Sequence, residues 1–282
     1  MTQEFRTWED YLQPNGTLKN KLGITDPVRL REAEYRISET RMRMLEERPL
    51  KPGPNGYDLE YLQRTHNYLM RDIYEWSGQV RAVDMTKGKT LFAFADEIPE
   101  TGKKIFDGLK QENDFKGLGK EAFVDRFSQF YADLNNLHPF REGNGRATRV
   151  VLSEIAKNAG YSLDQTRIDN DKGQWNEAAR LSSGRDLSGV KQIFSEAIRP
   201  TRAIAFERLP ESAAKAAHPE LEGAFVALDS FKRAMRDKYP MNEPLQERLT
   251  AQAKATIVKR LDDGHIPPAL ERKPVTYPPR ER

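Results

Sequence analysis

Between positions 138 and 149 the chain reads His-Pro-Phe-Arg-Glu-Gly-Asn-Gly-Arg-Ala-Thr-Arg. This stretch places a base (His138), a carboxylate (Glu142), two glycines (Gly143, Gly145) around an amide (Asn144), and two cations (Arg146, Arg149) within reach of one another. Pro139 disfavours the αR region at His138, so a helix arriving there stops, and the glycines permit a tight turn that aims backbone N–H groups inward. A helix starting after the turn offers N–H groups without internal partners at the positive end of its dipole, which is an anion-binding arrangement. Imidazole is suited to take a hydroxyl proton near neutral pH. Glu142 alone beside a phosphate cradle could hold Mg²⁺, which takes few protein ligands, whereas zinc needs three or four. Arg146 and Arg149 share a helix face and can reach one polyanion, and Asn144 can add a side-chain donor. The set suggests nucleotidyl or phosphoryl transfer. A chemistry-free reading of the same residues is a His-Pro helix stop followed by a glycine turn and ordinary surface arginines.

Other phosphate and metal signatures do not fit. No G-x-x-x-x-G-K-[ST] occurs, and no G-x-G-x-x-G follows a strand. His138 and Glu142 are four apart, but Pro139 and Gly143 rule out the helix that an H-E-x-x-H zinc site requires.

The elements that must position these residues are helical. Lys120 to about Leu137 carries a stripe of Phe123, Phe127, Phe130, Leu134 and Leu137, a core face that delivers His138 at its carboxyl end. Arg146 to Ala159 reads as the helix after the turn, with Gly160 as its C′ residue. Upstream, Asp26-Pro27 is an N-cap with Pro at N1 for an amphipathic helix bearing Leu30, Ala33, Ile37, Met42 and Leu45. Pro49 to Gly56 holds three prolines and two glycines and reads as a linker. The spacing of Leu62, His66, Leu69, Ile73 and Trp76 predicts a helix over 58–77, with His66 as a core histidine rather than a catalyst. Around Thr86, Lys87 and Gly88, β-branched and aromatic residues allow either a hairpin with a pairable edge or a connecting loop. Residues 97–110 form a short amphipathic pattern, and 173–198 hold one or two further helices.

The expected organisation is an N-terminal helical extension (1–56) packed on the core, a main domain (57–200), a helical hairpin or small bundle (201–266) and an extended tail (267–282) with five prolines. At 282 residues, 37% apolar and 32% charged, the composition suits an all-α chain with long solvated helix faces. A net charge of +3 argues against a nucleic-acid partner. Cysteine is absent, which excludes disulfides and thiol nucleophiles. No window approaches the ~20 apolar residues of a membrane span, and no leader pattern opens the chain, so a cytoplasmic location is expected. Translocation into another cell is a second expectation.

The stretch from His138 to Arg149 resembles the Fic family signature H-P-F-x-[DE]-G-N-G-R-x-x-R at every specified position. The segments YDLEYLQRTHNYLMRDIYEWSGQVR and TKGKTLF are similar to the upstream helix and flap of Fic proteins, so the resemblance covers roughly residues 57–200. It implies a Fic-type helical domain with a small β-hairpin flap, followed by a C-terminal helical region. The implied reaction is transfer of AMP from ATP to a Ser, Thr or Tyr hydroxyl of a target protein, with pyrophosphate released, in a toxin or translocated effector. On this resemblance His138 would be the base, Phe140 would anchor the loop, and Glu142 would hold Mg²⁺. Gly143, Asn144 and Gly145 would form the anion hole, and Arg146 and Arg149 would bind the β- and γ-phosphates. Thr86, Lys87 and Gly88 would clamp the target segment, and Asn176, beside Trp175, would face the nucleoside. The family's inhibitory pattern [ST]-x-x-x-E-[GN], whose glutamate engages the second arginine, is absent, so inhibition is expected from a separate small antitoxin. The alternatives are a helical interaction protein with a vestigial pocket, or transfer of phosphocholine or phosphate.

Overall fold

The structure is a computed structural model that describes residues 5–88 and 90–266. It divides into two compact units, 1–198 and 199–282.

In the first unit a single turn, α1 (Trp8–Tyr11), precedes α2 (Pro27–Glu47), α3 (Leu59–Met70), α4 (Ile98–Gln111), α5 (Lys120–Leu137) and α6 (Asn144–Asn158). A short strand pair, β1 (Thr86–Lys87) and β2 (Thr90–Leu91), lies between α3 and α4. After α6 come β3 (Tyr161–Leu163), α7 (Gln165–Asn170), α8 (Lys172–Ser183) and α9 (Ser188–Ala197). The fold is all-α apart from these small β elements.

Helix α5 is the axis of the core. Phe123, Phe127, Phe130, Leu134 and Leu137 are all buried, and the helix packs against α4, α6, α8 and α9. Its aromatic stripe meets Phe106, Phe115, Tyr161 and Phe194 in edge and stacked contacts. Helix α2 starts where Asp26 accepts hydrogen bonds from the Val28 and Arg29 N–H groups, satisfying donors that the helix cannot. It packs on α3 and α6, and Leu30 and Leu45 join the same core cluster as Phe127.

The helix expected over 58–77 ends earlier, at Met70. Ile73, Tyr74 and Trp76 are all fully buried. The Ile73 and Tyr74 N–H groups both turn back to the Met70 carbonyl, and Trp76 stacks on Tyr74 at 4.3 Å. Tertiary packing thus outweighs the local period. Helix α6 begins two residues before the expected start, because Gly143 at φ 83° lets the chain enter the helix directly from the turn. The strands pair antiparallel, Thr86 with Leu91 and Lys87 with Thr90, so the segment is a hairpin and not a plain loop; Lys89 at its tip lies outside the described residues. Neither β3 nor α7 was expected.

The second unit holds α10 (Thr201–Arg208), α11 (Glu211–Ala217), α12 (Glu222–Lys238) and α13 (Glu243–Asp262). The long α12 and α13 pack together, and the two shorter helices add to them around Phe206, Leu221, Phe225 and Leu261. Arg199 binds the Asp262 carboxylate through Nε and Nη2 at 3.0 and 2.9 Å. The tail expected over 267–282 lies outside the described residues. Among the described residues, no helix is long and apolar enough to cross a membrane.

Candidate active site

His138 is the C-cap of α5 and sits in the left-handed region at φ 42°, which turns the chain sharply as it leaves the helix. Its ring stacks on Phe92, just after β2, with centroids 3.8 Å apart. Its Nδ1 is buried without a hydrogen-bond partner. Burial lowers the His138 pKa to about 4 against a partly offsetting Asn135 carbonyl, and the charges of Arg81 and Lys87 lower it further. The imidazole is therefore neutral at pH 7, the form that can accept a proton.

The conformation around His138 is held by Arg81, which is 1% exposed. Its Nε donates to the His138 carbonyl at 2.8 Å, and Nη1 and Nη2 donate to the carbonyls of Val83 and Ala93 at 2.6 Å. Its backbone N–H donates to the Pro139 carbonyl. One side chain thus joins the end of α5, the start of the motif loop and both legs of the hairpin. Its side-chain hydrogen bonds go to carbonyls, whose dipoles at a helix C-terminus compensate the cation together with the nearby Asp84 charge.

His66 supports the other side of the loop. Its Nδ1 accepts from the Gly78 N–H at 2.8 Å, so the proton resides on Nε2, which donates to the Glu142 carbonyl at 2.8 Å. The ring stacks on fully buried Phe140 at 3.8 Å. Burial lowers its pKa to about 4 and keeps it neutral. His66 is thus a core residue, as its place on an apolar face suggested, and it orients the motif from below. Gly143 lies over the same spot: a Cβ there would come within 2.5 Å of the Met70 methyl and 3.2 Å of His66 Nε2. With φ at 83° as well, a side chain at this position would be strained.

Asn144 closes the loop on itself. Its Oδ1 accepts from the Phe140 N–H at 2.8 Å and its Nδ2 donates to the Phe140 carbonyl at 2.7 Å. The side-chain amide expected to donate to an anion is thus spent inside the loop, because both of its polar ends are needed to satisfy a buried backbone. The cradle consists of main-chain donors instead. The first bond of helical pattern runs from the Ala147 N–H to the Gly143 carbonyl, and the N–H groups of Asn144, Gly145 and Arg146 lie ahead of it without internal acceptors. Glu142 lies beside them with its side chain 43% exposed, accepting from the Gly143 N–H at 3.0 Å. Among the described residues no group of three or more His, Cys, Asp or Glu could cage a metal. A lone, accessible carboxylate next to an anion cradle fits an ion shared with phosphates, as Mg²⁺ is, and does not fit zinc.

Both arginines meet carboxylates. Arg146 Nη2 pairs with Glu34 of α2 and lies 3.4 Å from Glu142, and Nη1 donates to Ser38 at 2.9 Å. Arg149 Nη1 pairs with Asp169 of α7 at 2.6 Å, and its guanidinium lies 5.8 Å from the centroid of the Trp175 ring. The tie from α8 to the motif is therefore Trp175; Asn176 is exposed beside it. Thr86, Lys87 and Gly88 are exposed on the hairpin that carries Phe92 over His138.

Sequence reasoning missed Arg81, Glu34, Ser38, Tyr74 and Asp169. Arg81 left one signal, a lone cation between valines in Gln-Val-Arg-Ala-Val. Asp169 left no local signal, since it lies twenty positions from Arg149 in a stretch where no element was expected. Glu34 and Ser38 look like solvated helix positions in a charge-rich segment.

The two neutral histidines make the fold acid-sensitive. Each has a folded pKa of about 4 and titrates near 6.5 when unfolded, so the unfolded chain binds more protons between those values. The stability they contribute is complete above pH 6.5 and is lost as pH falls through 4. Chemical denaturation should show a loss on the order of 3 kcal/mol per histidine across that window. His138→Ala should make the loss shallower, and an unchanged profile would contradict the assignment.

Comparison with known proteins gives the same reading as the geometry. The family model described as Fic/DOC matches residues 56–156, the span from α3 through most of α6. The chain is 34% identical over 200 residues to the probable protein adenylyltransferase Fic of Escherichia coli (strain K12), covering 70% of this chain and 96% of that one. It is 35% identical over 204 residues to the protein of the same name from Salmonella typhimurium (strain LT2), covering 72% and 98%. Among solved structures, BepC of Bartonella tribocorum, a VirB-translocated effector with bound AMPPNP, superposes with a TM-score of 0.63 at 27% identity, covering 68% of this chain and 97% of that one. With its motif built on a neutral histidine, a helix N-terminus and two arginines, and with relatives covered almost end to end, this chain belongs to the Fic/DOC family.

Proposed function

We propose that this chain is a protein adenylyltransferase that moves AMP from ATP to a Ser, Thr or Tyr hydroxyl of a target protein and releases pyrophosphate. The observation that carries the reading is a neutral imidazole at the end of α5, next to a helix N-terminus with free N–H groups and two arginines one turn apart. The hydroxyl oxygen bonds to the α-phosphorus while its proton passes to His138. The bond from that phosphorus to the α,β-bridging oxygen breaks, and its electron pair leaves with pyrophosphate. Main-chain N–H groups of Asn144, Gly145 and Arg146 face the charge that develops on the phosphoryl oxygens. Arg146 and Arg149 hold the β- and γ-phosphates and orient the nucleotide for in-line attack. Mg²⁺, when bound through Glu142 and the phosphates, supplies further charge neutralisation. The exposed hairpin at Thr86, Lys87 and Gly88 pairs with an extended target segment and presents its hydroxyl to His138. Asn176, exposed beside Trp175, serves the nucleoside side.

The protein acts as a toxin or translocated effector, and the effector description of the Bartonella neighbour favours export as one of its routes. Inhibition comes from a separate small antitoxin whose glutamate takes Arg149. In support, the carboxylate now on Arg149 is half-exposed Asp169, in a single contact that a ligand or partner can replace. A cytoplasmic site of synthesis and action in the producing cell is part of the same reading.

Incubation with lysate and ATP labelled at the α-phosphate should label protein, while γ-labelled ATP should not. His138→Ala should reduce labelling by about 10²–10⁴-fold, the range of general-base catalysis, with nucleotide binding retained. Label from the γ-position would indicate phosphate transfer, and label indifferent to His138→Ala would reject the mechanism. Exposed ion pairs contribute up to about 1 kcal/mol, so Asp169→Asn should tighten ATP binding by no more than about 5-fold in titration calorimetry.

A further inference from the structure

Helix α2 reaches the motif through one buried patch. Glu34 and Ser38, one turn apart on that helix, are buried, and the Glu34 side chain is 8% exposed. Its Oε2 accepts from the Tyr74 hydroxyl at 2.8 Å, and its Oε1 receives Arg146 Nη2. Ser38 Oγ accepts from Arg146 Nη1 at 2.9 Å and donates to the Glu34 backbone carbonyl at 2.6 Å. Tyr74 is itself fixed by stacking on Trp76, and burial and the Glu34 charge push its pKa up, so it remains a donor. The carboxylate is held from both sides. A lone buried carboxylate would be costly, and here its two oxygens are satisfied by a cation and a phenol.

The partners of the two motif arginines therefore differ in kind. Asp169 meets Arg149 once, at a half-exposed position. Glu34 meets Arg146 inside a network of four side chains drawn from α2, the turn after α3, and α6. Breaking one member of such a network leaves the others unsatisfied, so the contact is retained when a ligand arrives. Arg146 spends an Nη1 and an Nη2 hydrogen on α2 and makes a longer Nη2 contact with Glu142 at 3.4 Å, and among the described residues its Nε–H has no partner. With one edge of the guanidinium fixed, the other is pre-oriented for an anion.

We propose that Glu34 is a positioning residue that holds Arg146 in the geometry required by the β- and γ-phosphates of ATP. This rests on the adenylyltransferase reading above. Glu34 touches no reacting atom; it acts through Arg146.

The test is titration calorimetry of the full chain with Mg²⁺–AMPPNP and, separately, with AMP, which lacks the phosphates that Arg146 would hold. Glu34→Gln should weaken AMPPNP binding about 10-fold and leave AMP binding unchanged. Added to Arg146→Ala, it should cause no further loss. Tyr74→Phe, which keeps the stacked ring and removes the hydroxyl, should give a smaller loss of the same type, and it serves as the deciding variant if Glu34→Gln does not fold. AMPPNP binding that is equal or tighter in the variants would overturn the proposal, since Glu34 would then be a bystander or a competitor. Equal weakening for AMP and AMPPNP would overturn it as well, by showing a general loss of structure. A wild-type chain that binds AMP but not AMPPNP would reject the positioning claim, whereas one that binds neither would reject the adenylyltransferase reading on which it rests.

Discussion

The site depends on the buried guanidinium of Arg81. A helix must end at Leu137, a histidine must take a left-handed conformation, and a two-residue hairpin must lie over it; each of these is marginal alone. Arg81 satisfies carbonyls from all three elements at once. Burial lowers its pKa, but the guanidinium remains charged, and its planar array of donors suits carbonyls converging from several directions. A lysine, with a single nitrogen, could not reach the same set. Hairpin and base therefore form one unit: the ring of Phe92 that covers His138 follows directly on β2.

The motif loop is rigid for related reasons. His66 from below, the Asn144 clamp within, and the Gly143 approach to Met70 fix its backbone before any nucleotide arrives. Preorganised N–H groups need little rearrangement when charge develops, and this is the main source of electrostatic catalysis. The arginines complete the site with different degrees of freedom: Arg146 is locked to α2, while Arg149 rests on an exchangeable surface partner. Helix α2 lies outside the span of the family model, yet holds the first arginine of the motif.

Much of this was legible in the sequence. The aromatic stripe of α5 has a helical period and lies wholly in the core, so local pattern and tertiary environment agree. The motif was legible because glycine, proline and histidine each restrict the backbone in a known way. What escaped detection was long-range. Glu34 and Ser38 sit more than a hundred positions from Arg146, and only packing of α2 on α6 makes them buried partners. Asn144 appeared to be a free donor, since nothing local shows that its amide closes on Phe140. The early end of α3 was likewise not legible, since the spacing of Leu69, Ile73 and Trp76 continues the helical period past Met70.

The central claim is that the group transferred is AMP, carried through a protein hydroxyl. Mass spectrometry of target proteins modified in lysate by this chain and unlabelled ATP tests it most directly. A single AMP adduct on a Ser, Thr or Tyr side chain is expected, absent when His138 is replaced by alanine. A phosphate or phosphocholine adduct, or no adduct at all in the presence of active chain and Mg²⁺–ATP, would contradict it.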